Sequence, residues 1–242
     1  MCLNVVFFCS LVIFLPLFAQ PLLHLTATDI DKGTFHTDDN RGYADELLQE
    51  AYTRVGYRLK VTSLPSERSL KMANSGKSDG EFLRVGGIEK RYTNLIQISE
   101  PIANLEAVVF SYNSLDLRNN WAALEGNEVG LVIGIKFVEA NMPVGAIVTR
   151  VKNVEQLFHL LQAKRIAYAV YPRKLGEKFI RDNSMDDISV LEPPLASEPL
   201  FTYLNKKHSH LVPELTKALR EMKQDGTFQR ITQKHKPSSF RG

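Results

Sequence analysis

The residues best suited to do chemistry lie between Asp79 and Ile102, in the run DGEFLRVGGIEKRYTNLIQISEPI. A strand reading ends at Arg84, a Gly-Gly turn follows, and Arg91 opens the next short segment. In open α/β sheets, ligands bind at the carboxyl ends of strands. An arginine placed there can grip a carboxylate through two parallel hydrogen bonds. Taken alone, either Arg84 or Arg91 is more often a surface cation. Glu67 and Arg68 open the helix after Pro65, where they face the same region or form a local ion pair. His208 and His210 form an H-x-H pair whose rings share one face of an extended segment. A metal site needs further ligands, and nothing near them in the sequence supplies any. Asp38 and Asp39 read as solvated loop carboxylates rather than a catalytic pair. No G-x-S-x-G elbow, H-E-x-x-H, P-loop or G-x-G-x-x-G is present. The expectation is a non-enzyme with no metal and no cofactor.

The elements that must position these residues alternate. Leu22 to Asp29 reads as a strand, Gly42 to Gly56 as a helix and Arg58 to Leu64 as a strand. Pro65 and Ser66 start a second helix closed by Gly76, and Ser78 to Val85 is a third strand. That alternation predicts a parallel sheet with helices on its faces. A second cycle follows: strands at Leu105 to Tyr112, Glu128 to Ile133, Ala146 to Val151, Ile166 to Tyr171 and Ile188 to Leu191. Helices fall between them at Lys136 to Asn141, Asn153 to Ala163 and Arg173 to Asp182, with a shorter one at Asn119 to Leu124. Glu192, Pro193 and Pro194 break the pattern before a strand at Leu200 to Leu204 and two C-terminal helices. The expected architecture is α/β in two lobes joined by two extended crossovers. Residues 22–108 and 198–242 form the first lobe, and 109–197 the second.

Composition narrows the function. The chain has 242 residues, with 30 Lys or Arg against 27 Asp or Glu. A net charge of +3 is too mild for a nucleic-acid-binding surface. Residues 1 to 23 carry no charged side chain, and the apolar run from Val5 to Phe18 has the length of an export-signal core. Cleavage near residue 21 would remove both cysteines, Cys2 and Cys9. The mature chain would then hold no disulfide, thiolate metal site or cysteine nucleophile.

Four stretches carry a resemblance to the periplasmic solute-binding proteins of the extracellular family 3 type. They are GYADELLQEAYTRVGYRLKV, SDGEFLRVGGIEKRYTNLIQISEPI, LLQAKRIAYAVYPRKLG and HLVPELTKALREMKQDGTFQRITQKH. The resemblance implies a two-lobe clamp that closes on a small molecule, each lobe a mostly parallel sheet flanked by helices. It implies that Arg91 holds a ligand carboxylate, and that the helix start at Gly134 meets the ligand from the second lobe. Asp29 and Phe35 match positions that often face the ligand. Where the family places hydroxyls after Gly134 this chain has Lys136. Where it places an ammonium-binding Asp, this chain has Tyr171, Pro172 and Arg173. A buried ammonium without an anionic partner is costly. Arg84, Arg91, Lys136 and Arg173 are therefore expected to favour a carboxylated or otherwise anionic ligand. A monomer that delivers its ligand to an inner-membrane permease is the expected setting. A sensor for a membrane receptor, or a small-acid lyase or dehydratase on the same scaffold, is the rival.

Overall fold

The computed structural model describes residues 20–29 and 33–235. Most of the expected export segment, residues 1–19, lies outside the described residues. Among those described, no helix is long and apolar enough to cross a membrane.

Among the described residues, nine strands form one sheet in the order β2-β1-β3-β9-β5-β8-β6-β7, with β4 paired to β9. The first lobe is built from β1 (Leu22–Thr28), α1 (Tyr43–Arg54), β2 (Arg58–Leu64), α2 (Ser66–Asn74), β3 (Gly80–Val85) and β4 (Leu95–Gln97). Strand β5 (Ala103–Ser111) leads into the second lobe. That lobe holds β6 (Glu128–Val132), α3 (Lys136–Asn141), β7 (Ile147–Val151), α4 (Val154–Gln162), β8 (Tyr168–Pro172) and α5 (Arg173–Asp182). Strand β9 (Ser189–Asn205) returns the chain to α6 (Leu211–Gln224) and α7 (Thr227–Lys234).

Each lobe has its own apolar core. One is built around Leu25, Leu47, Tyr52, Phe82 and the α6 side chains Leu215 and Leu219. The other is built around Phe110, Leu131, Phe158, Val170 and Ile180. The apolar stripes of α1, α4 and α6 face inward, as helical spacing requires. Strands β1, β2 and β3 are parallel, and so are β6, β7 and β8. Both sets meet the crossover pair antiparallel, with Val85 opposite Leu200 and Ala107 opposite both Pro172 and Ala196. The carboxyl ends of the two parallel sets therefore face one another across the hinge.

The break expected at Glu192 to Pro194 is corrected: β9 is one strand of 17 residues. Its partner β5 skips there, with Ala107 opposite Ala196 but Val109 opposite Leu191. Four residues of β9 bulge against Val108 alone. A bulge leaves backbone donors unpaired, so it accepts prolines, which have none. The sequence reading also passed over β4, because three residues are too few to show a period.

Asp79 ties the base of the first lobe. It accepts the His24 N–H at 2.8 Å, and meets His208 Nε2 and Lys207 Nζ at 2.7 Å each. This contact engages one ring of the H-x-H pair, and no group of ligating side chains suited to a metal occurs among the described residues. Burial alone would raise the Asp79 pKa, but these partners hold it at about 2 against an ordinary 3.8. A carboxyl held low stabilises the fold above its unfolded pKa and loses that contribution as pH falls through the folded value. Asp79→Asn should cost about 1–2 kcal/mol at neutral pH, and urea titrations should show the difference fading between pH 4 and pH 2. Gly80→Ala tests the strand packing, since a Cβ there would stand 2.0 Å from the Tyr203 carbonyl oxygen. Backbone cannot yield as a flexible side chain can, so a loss of about 3 kcal/mol is expected in the same titration.

Candidate functional site between the lobes

The loop before α1 is fixed by Asp45. Its carboxylate accepts the Thr37 and Gly42 N–H groups at 2.9 Å and meets His36 Nδ1 at 2.8 Å. These contacts seat Phe35 at the lobe boundary, where it is only 2% exposed and packs on Tyr43. Lys174 of α5 lies over the Phe35 and Tyr43 rings, so the lobes approach each other here.

Beside this contact lies an interlobe recess of about 1250 Å³. The loop at Gly33–Phe35, the start of β5 and the α7 face of Phe228 and Thr232 form one side. One face of α5, from Arg173 to Asp182, forms the other.

Of the ten residues singled out in the sequence, only Phe35 and Arg173 line this recess. Arg84 is locked inside the first lobe, with Nη2 2.6 Å from Glu81 Oε1 and Nη1 2.9 Å from Ser66 Oγ. Glu81 is fully buried; burial pushes its carboxyl up, and Arg84 and the Ser69 and Thr26 hydroxyls oppose that. Arg91 stands at the end of the turn after β3, its side chain 72% exposed, 3.5 Å from Glu67 and over the Tyr92 ring. Glu67 also accepts the Tyr92 hydroxyl at 3.1 Å. Arg68 is exposed, as is Asp29 at the end of β1. The Gly134 N–H is engaged within its own lobe, donating to Glu139 at 3.2 Å, and Lys136 pairs with the same carboxylate at 3.0 Å. Tyr171 is a core residue, edge-on to Phe158, and burial pushes its phenol up to about 12. Arg84, Arg91, Lys136 and Arg173, expected to favour an anionic ligand, each have a carboxylate partner.

Arg173 has three such partners. It reaches Glu106 of β5 at 2.5 Å, Glu192 of β9 at 2.8 Å and Glu177 at 3.7 Å. Burial works against its charge, but Glu106 and Glu192 raise its pKa on balance. One side chain thus joins both crossovers to the start of α5.

Sequence reading missed Lys174, Tyr43 and Phe228 as recess residues. Tyr43 opens the helix read from Gly42 to Gly56, at a spacing that suits a core stripe. Lys174 stood beside Arg173 at a helix start, and that adjacency was the available signal.

Two lobes on paired crossovers, with strand ends facing across an interlobe recess, define the class of hinged solute-binding proteins. Residues 26–238 match the bacterial extracellular solute-binding proteins, family 3, and the chain belongs to that family. It is a family of binding proteins rather than enzymes. An uncharacterised protein of Shewanella oneidensis is 24% identical over 227 residues, covering 90% of this chain and 84% of its own. The histidine-binding periplasmic protein of Salmonella typhimurium is 24% identical over 204 residues, covering 80% and 78%. An ancestral arginine-binding protein bound to glutamine shares the fold, with a TM-score of 0.68 and 20% identity over 89% of this chain and 98% of that one.

Arg173→Met would leave Glu106, Glu177 and Glu192 facing one another without their shared cation. A loss of about 1–2 kcal/mol is expected, between the values for exposed and buried pairs. Raising the salt should shrink the loss by screening the repulsion. Urea unfolding at low and high ionic strength would read both effects.

Proposed function

We propose that the protein is exported to the periplasm and captures a small carboxylate-bearing solute between its lobes for delivery to a membrane transporter. Residues 22–108 with 198–242 act as one jaw, and 109–197 as the other. Arg91 anchors the carboxylate, and this rests on one observation above the rest. Arg91 is exposed, with a long contact to Glu67 and a place over the Tyr92 ring, whereas Arg84 is fully engaged. Membership of the family supports the reading, as do relatives named for amino acids, which all carry a carboxylate.

Glu67 extends the chemistry of this anchor. Once Arg91 turns to a ligand, its neighbouring carboxylate can accept a ligand ammonium from the same lobe. An anionic ligand, by contrast, would draw on Lys136 from the second lobe. Contacts to both lobes bind the closed form more tightly than the open one, and that difference shifts the population.

A thermal-shift screen of the signal-free protein separates these cases. The panel should span zwitterionic amino acids and aliphatic dicarboxylates. A ligand at about one hundred times its dissociation constant adds about 2.7 kcal/mol, a rise of roughly 5–10 °C for a domain of this size. Arg91→Ala should abolish the rise. Glu67→Gln should weaken amino acids selectively if the ammonium is met there. A rise unchanged in Arg91→Ala, or no rise in protein free of co-purified ligand, would refute the reading.

A further inference from the structure

The interlobe recess has an electrostatic asymmetry that the capture reading does not use. Lys174, Lys178 and Arg181 follow one another at helical spacing on α5, so one face of that helix presents three cations to the recess. Every carboxylate in the lining is already engaged. Glu106 and Glu177 face Arg173, and Asp182 pairs with Lys178. On the opposite wall, Lys223 is paired with Glu100. Lys174 and Arg181 have no ion pair among the described residues.

Lys174 is the more unusual of the two. Its ammonium lies 4.8 Å from the Tyr43 ring centre and 5.3 Å from that of Phe35, both in the other lobe. Ring faces attract a cation but do not neutralise it. The side chain is open to the recess yet has protein on several sides, and this desolvation lowers its pKa despite Glu106 and Glu177. An exposed cation with no direct ion pair, held over two ring faces in a concave space, is suited to bind an anion. The wall across from α5 is largely apolar, with Ile102, Leu105, Tyr43 and Phe228.

We propose that this recess is a second ligand site, which takes a small organic carboxylate with a flat apolar body. Lys174 Nζ holds the carboxylate, Arg181 adds long-range attraction from the same helix face, and the apolar wall takes the body. Arg84, Arg91, Gly134 and Lys136 do not line this recess. Binding here therefore stands or falls apart from the anchor at Arg91. An occupant touches α5 of one lobe and the α7 face of the other, so it would also hold the lobes together.

Benzoate is a suitable probe, with neutral benzamide as its matched control. Isothermal titration of the signal-free protein should show benzoate binding and no comparable binding of benzamide. Lys174→Met should weaken benzoate by about tenfold or more, as expected for loss of a charged hydrogen bond. Arg181→Gln, at an exposed position with no packing role, should weaken it by a smaller factor. Arg91→Ala should leave it unchanged. Equal affinity in wild type and Lys174→Met, benzamide binding as tightly as benzoate, or no benzoate binding would overturn the proposal. Loss of benzoate binding in Arg91→Ala alone would also overturn it, while placing the probe at the first anchor and so supporting the capture reading.

Discussion

The antiparallel pairing of β5 with β9 is the constraint on which the molecule depends. It runs from Ala103 opposite Leu200 to Ser111 opposite Ser189, so the same two strands belong to both lobes. Their ladder fixes the direction of every parallel strand on either side. Because β3 and β8 both meet the pair antiparallel, the carboxyl ends of the two parallel sets face one another. The cleft is thus a consequence of strand polarity. Arg173 reinforces the junction by holding a carboxylate from each crossover while sitting at the start of a helix of the second lobe.

The fold was largely legible because its signals are local. Alternation in Arg58 to Leu64, a helical stripe in Asn153 to Ala163, and glycines at Gly56 and Gly76 each mark an element within a few residues. The exception at Glu192 to Pro194 shows where locality ends. Two prolines are a strong break signal, and only the skip in β5 reveals the bulge that accommodates them.

The site was less legible because charge pairing is not local. Arg84 was marked as a cleft cation, but its fate is set by Glu81 and by Ser66, which lies 18 residues away. Gly134 has the backbone freedom of a ligand-cradling turn, with φ at 100°, yet its N–H is met by Glu139 in the next helix turn. Tyr171 lies at a strand end, and the pleat turns it into the core. Conversely, Lys174 attracted no notice because its partners, Phe35 and Tyr43, lie more than a hundred residues upstream. Residue type and spacing identify which groups have chemical potential, while tertiary contacts decide which of them stay available.

The division of the cores has a consequence for how the chain assembles as it is made. The second core is drawn from one continuous stretch, Ala107 to Leu195. The first also needs Leu211, Leu215, Leu219, Met222 and Ile231, which are synthesised after that stretch. A chain emerging from its amino terminus can therefore complete the interrupted second unit while the first still exposes an unfilled apolar surface. That surface is a temporary hazard for aggregation, and it persists until α6 arrives. A truncation that removes only the last two helices would spare one lobe and leave the other permanently in this incomplete state.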